Sequence, residues 1–117
     1  MVQKTTIEMP RSLENLPEQE QHLLLRAGLY EAGRARIRQL EAEIAEAEVE
    51  IQRFESRYGM PFAQFEVEVL PVCDTLQIHE DYNDWFFWHR VWTDRRSLLA
   101  KINEILLQEL SDTDNRR

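Results

Sequence analysis

With 117 residues, 3 glycines, 4 prolines and one cysteine, the chain has the length of one domain and too few turn formers for a sandwich or barrel. The lone Cys73 excludes an internal disulfide, and no stretch approaches the roughly 18 uninterrupted apolar residues that a membrane span needs. The net charge of −8 opposes general binding to nucleic-acid phosphates.

Ala, Leu, Glu, Gln and Arg dominate, which predicts an all-α fold in a single domain, 1–117. The N-terminus MVQKTTIEMP has no apolar core of the kind a secretory signal carries, so a cytoplasmic location is expected. In chain order, residues 4–9 (KTTIEM) alternate in a way that fits a short strand, which Pro10 would end. Residues 1–16 therefore read as an extended lead closed by the turn-like SLENLP.

A long helix is predicted over 17–58, with Pro17 near its first position and Glu18 and Glu20 in its positive-dipole first turn. Leu23, Leu24, Leu25, Leu29 and Tyr30 give it a broad apolar face. Gly28 and Gly33 either allow close packing or split it into two helices. Its second half carries a heptad seam: Ile37, Ile44, Ile51 and Tyr58 recur every seventh residue, and Leu40, Ala47 and Phe54 fill the third positions between them. Arg34, Arg36 and Arg38 precede the acidic stretch and pair with nearby glutamates by helical spacing. Arg57-Tyr58-Gly59-Met60-Pro61 is a helix stop, with Gly59 suited to a left-handed cap and Pro61 barring continuation.

Residues 59–79 form a connector that includes a short helix, PFAQFE, whose Phe62 and Phe65 fold back on the long arm. A second helix is predicted over 80–110, with Trp85, Trp88, Trp92, Leu99, Ile102 and Leu106 on one side, and a frayed tail over 111–117. Two long helices with one connector give an antiparallel helical hairpin or coiled coil. A return helix of about 46 Å leaves part of a first helix of about 63 Å uncovered at ~1.5 Å per residue, so a homodimer through the seam is expected.

Charge is uneven along the chain. Residues 41–84 carry twelve acidic and two basic side chains, whereas 1–40 and 85–117 each carry five acidic and six basic. The acidic middle either solvates a helix face or attracts a basic partner. Four consecutive aromatics, Trp85-Phe86-Phe87-Trp88, point around nearly the whole helix. If Trp85, Trp88 and Trp92 cover the arm, Phe86 or Phe87 must face the connector or another molecule.

The chemistry-bearing residues form no catalytic or metal pattern. His79, Glu80, Asp81, Asp84 and His89 are ligand types, but the histidines lie ten apart, off the i,i+4 spacing of a zinc helix. There is no phosphate loop or nucleophile elbow, so neither enzyme activity nor a cofactor is expected.

TTIEMPRSLENLPEQEQ, FESRYGMPFAQFE and HEDYNDWFFW make the chain resemble a group of small prokaryotic proteins proposed to be antitoxins of toxin–antitoxin pairs. The resemblance implies a protein that wraps and neutralises a nuclease partner. Trp85, Phe86, Phe87, Trp88 and Trp92 would supply the contacts, together with Glu43, Glu46 and Glu50 of the acidic face. It also implies operator binding in some members. KTTIEMP is similar to the strand of a ribbon-helix-helix module, with Lys4 and Thr6 on the groove-facing side, but that module needs two short helices where 17–58 reads as one. The competing reading is a structural coiled-coil adaptor without an inhibitory role.

Overall fold

The computed structural model describes residues 11–114, and the side chains of residues 11–109. Every regular element among these residues is helical, and they contain no strand. Residues Arg11–Asn15 form a 3-10 turn, not the extended lead expected there; Leu16 N donates to Leu13 O at 3.1 Å to close it. The strand expected over 4–9 lies outside the described residues, as do Lys4 and Thr6.

Helix α1 (Glu18–Tyr58) is one uninterrupted helix of 41 residues despite its two interior glycines. Pro17 stands just before it with extended ψ, and the Gln21 side chain satisfies the Leu16 carbonyl at 2.8 Å. Gly59 ends it in the left-handed conformation (φ 67°), donating its N–H to Glu55 O at 2.7 Å. Pro61 then opens the short α2 (Phe62–Glu68).

Helix α3 (Leu76–Asp114) starts four residues earlier and runs farther than its sequence predicts. The physical reason is Thr75, whose Oγ1 accepts the Ile78 N–H at 3.2 Å and caps the first turn. The acidic Glu80, Asp81 and Asp84 thus lie inside the helix and do not open it. Residues 111–114 of the expected frayed tail are helical.

Helix α3 returns antiparallel along α1. Gly33 meets Leu106, Glu43 meets Arg95, Glu48 meets Trp92 and Arg57 meets Asp81, so partners advance along one helix as they recede along the other. Gly33 stands where a heptad core residue would. A Cβ there would come within 2.9 Å of Leu106, so the bare backbone lets α3 close in. The seam is used within the chain: Leu40, Ala47 and Phe54 are buried, and Ile37, Ile44, Ile51 and Tyr58 are half-buried. At ~1.5 Å per residue, α3 (39 residues) is about 58 Å long against about 62 Å for α1, so the expected length mismatch nearly vanishes.

The densest packing lies at the closed end of the hairpin. Phe54, Phe62, Phe65 and Trp85 are its buried centre, edged by Tyr58, Met60, Leu70, Tyr82 and Trp88. Trp85 is fully buried against Phe65, Phe62 and Phe54, with ring centroids 5.1, 5.3 and 5.6 Å away. Aromatic pairs of this geometry contribute about 0.5–1.5 kcal/mol each beyond area burial. The short α2 is thereby fixed across the end of the two long helices.

Candidate functional site

Asp81 ties the closed end together. It is 4% exposed and sits on the first turns of α3. It accepts hydrogen bonds from Arg57 Nη1 (2.9 Å), Gln77 Nε2 (2.8 Å) and the Tyr58 hydroxyl. Burial pushes its carboxyl pKa up, but the bonds from Tyr58, Arg57 and Gln77 outweigh burial and leave it below the ordinary carboxylate value. Burial and the same bond push the Tyr58 hydroxyl up to about 12. A second tie runs from Tyr82 OH to Glu66 of α2 at 2.9 Å, and that bond raises the Tyr82 pKa. These bonds make the end of the hairpin a fixed platform and not a hinged loop.

A groove of about 410 Å³ opens on one side of this platform, where α1, the start of α2 and α3 converge. Glu48 and Glu55, one heptad apart on α1, supply its carboxylates, and Phe62, His89 and Trp92 supply its rings. The Phe62 and His89 rings stack at 5.3 Å, and Trp92 Nε1 donates to Glu48 Oε1 at 3.1 Å, which fixes that carboxylate beside the indole. The Arg96 guanidinium lies 4.5 Å from the centroid of Trp92, so this ring already receives a cation. Carboxylates beside aromatic faces are the groups with which arginine and lysine side chains pair and stack.

The residues expected from the sequence to form the partner surface divide. Trp85 is core, while Trp88 and Trp92 are half-buried. Phe86 (43% exposed) leans on Phe62 and Tyr82, with centroids 6.3 and 6.1 Å away. Phe87 (56% exposed) packs edge-on against Trp88. Glu43 is engaged inside the hairpin by Arg95 at 2.8 Å and Arg36 at 3.7 Å, and Glu50 is held by Arg53 at 2.9 Å. Glu46 is exposed. The sequence reading did not place Glu48 or Glu55 in the partner surface, and it weighed His89 only as a metal ligand. The signal was the seven-residue spacing of the two glutamates beside the seam, where side chains flank the partner helix.

His79 pairs with Asp74 at 3.0 Å, and His89 stacks on Phe62. No group of three or more His, Cys, Asp or Glu side chains converges as metal ligands among the described residues. No helix among them is long and apolar enough to cross a membrane. No family model matches the chain, nor does any curated protein or solved structure, so the site's role is argued from its own geometry.

Proposed function

We propose that the chain is an antitoxin-like binding protein that neutralises a basic protein partner, of the nuclease-toxin class, through contacts at the closed end of the hairpin. The observation that carries this reading is the groove in which Glu48 and Glu55 face Phe62, His89 and Trp92. Its α1 and α2 walls belong to residues 41–84, where acidic residues outnumber basic ones by twelve to two. The acidic field would raise encounter rates with a basic partner, and the groove would seat a basic side chain. Phe86 and Phe87, exposed on α3, supply the apolar contact area that charge alone does not. Asp81 and its three donors keep these groups in place before binding, which lowers the ordering cost of association.

The operator-binding alternative has less support. The single helix Glu18–Tyr58 occupies the place of the two short helices that a ribbon-helix-helix module requires. The test is affinity capture of the partner with the chain as bait, followed by titration of the captured basic protein and its nuclease assay. A stoichiometric complex with loss of nuclease activity supports the proposal. A complex that leaves activity intact supports the structural-adaptor reading instead.

A further inference from the structure

The groove at the closed end is lined by two carboxylates and three rings, and by no lysine or arginine. Its carboxylates differ in what they leave open. Glu48 accepts from Trp92 Nε1 through Oε1, at 3.1 Å, which leaves Oε2 as its open acceptor. Glu55, one heptad on, is exposed, and its carboxylate makes no hydrogen bond or ion pair among the described residues. Glu43 and Glu50, on the other side of the seam, are each already engaged by arginine. The groove therefore pairs an uncompensated carboxylate with a wall of rings.

The geometry points to a guanidinium as the group this groove takes: an arginine side chain of the partner, its fork on Glu55 and its plane against the rings, in preference to a lysine. The inference rests on the functional reading above and narrows it to one side-chain chemistry. Two physical differences select arginine. The first is reach. Glu48 and Glu55 leave α1 about 10.5 Å apart, at ~1.5 Å per residue, and the bond from Trp92 holds Glu48 at its own end. An ammonium joins two acceptors no more than about 5.6 Å apart, through two bonds of about 2.8 Å, whereas a guanidinium carries five donors in one plane and bridges about 8 Å. The second is shape. Phe62 and His89 stack at 5.3 Å with their planes 26° apart, and the Trp92 ring follows 6.0 Å from His89, so ring surfaces run beside the carboxylates. A guanidinium stacks on such a surface and still donates in its own plane, whereas an ammonium is a compact, strongly hydrated point charge. The chain makes this contact itself where Arg96 lies over Trp92, 4.5 Å from the ring centroid.

The test uses three probes with one backbone: the N-acetyl amides of arginine, lysine and citrulline. Lysine keeps the charge and loses the fork, and citrulline keeps the planar shape and loses the charge. Each is titrated at fixed ionic strength into the isotope-labelled full chain. The readout is the indole N–H resonance of Trp92, assigned by its loss in Trp92→Phe. The titration is repeated in Glu55→Gln, with circular dichroism as the check on folding. Arginine should shift the resonance saturably, lysine should bind about fivefold more weakly or worse, and Glu55→Gln should weaken the arginine response by a similar factor. Citrulline should leave the resonance unmoved. No saturable arginine response would overturn the proposal, as would lysine or citrulline binding as well as arginine, or an arginine response unchanged in Glu55→Gln. The basic-partner reading is decided separately, by whether Glu48→Lys/Glu55→Lys weakens binding of a captured protein.

Discussion

Replacing Asp81 by alanine probes the tie on which the platform depends. The carboxylate is 4% exposed and accepts from Arg57, Gln77 and Tyr58, so the substitution removes three bonds at once. Breaking a fully buried ion pair costs about 3–5 kcal/mol because a charge is left without its partner. Arg57 has a side chain 49% exposed and can turn to water, which lowers the figure. Tyr58 loses the acceptor of its hydroxyl, at about 1 kcal/mol. A loss of about 2 kcal/mol is therefore expected, or roughly 1 M in the urea midpoint for a helical domain of this size. Because the folded-state pKa of Asp81 lies below its unfolded value, its stabilisation is complete above about pH 4 and fades as pH falls through the folded-state pKa. The assay is urea unfolding of wild type and Asp81→Ala at one protein concentration, at pH 7 and then in steps below pH 4. The deficit should shrink with acid. A deficit under about 0.5 kcal/mol at pH 7, or one indifferent to acid, would refute the assignment of Asp81 as the tie.

Tyr58 gives the alkaline counterpart: with its pKa raised to about 12, the stability it confers holds below about pH 10 and is lost between there and pH 12. Tyr58→Phe should flatten that part of the pH–stability curve measured by circular dichroism. Phe86→Ala should lower stability by about 1 kcal/mol because it strips a ring from Phe62 and Tyr82, whereas Phe87→Ala should change it by under about 0.5 kcal/mol while weakening partner capture several-fold. Equal destabilisation by the two would show that both sides of the aromatic run belong to the core. Gly33→Ala should gain less than the roughly 1 kcal/mol of helix propensity, since its Cβ crowds Leu106 at 2.9 Å; the full gain in a urea titration would mean that the two helices stand farther apart.

Much of the architecture was legible because it rests on local chemistry. The heptad spacing of Leu40, Ala47 and Phe54 marked the residues that become buried, and Gly59 with Pro61 marked the end of α1. The start of α3 was misplaced because acidic residues were taken as its first turn, whereas the cap is a single threonine hydroxyl, Thr75. The site was less legible, since a carboxylate's role depends on what faces it. Glu43 and Glu50 look no different in sequence from Glu48 and Glu55, yet arginines engage the first two and the second two border the groove. Asp81 likewise shows nothing in sequence of the three donors that converge on it from two helices. The aromatic run correctly implied more than one environment, but which ring stayed exposed depended on where α2 crossed the hairpin.

The central claim is that the closed end seats a basic partner through Glu48, Glu55 and the rings beside them. The most direct measurement is calorimetric titration of a basic protein partner, obtained by co-expression and affinity capture with the chain, into the wild-type chain and into Glu48→Lys/Glu55→Lys. Both side chains are exposed and Glu48 gives up only its surface bond from Trp92, so the variant should fold as the wild type does, checked by its circular dichroism spectrum. The account predicts tight binding to the wild type and at least a tenfold loss in the variant, with the remaining affinity less sensitive to salt. Equal affinity and equal salt dependence for the two proteins would contradict it.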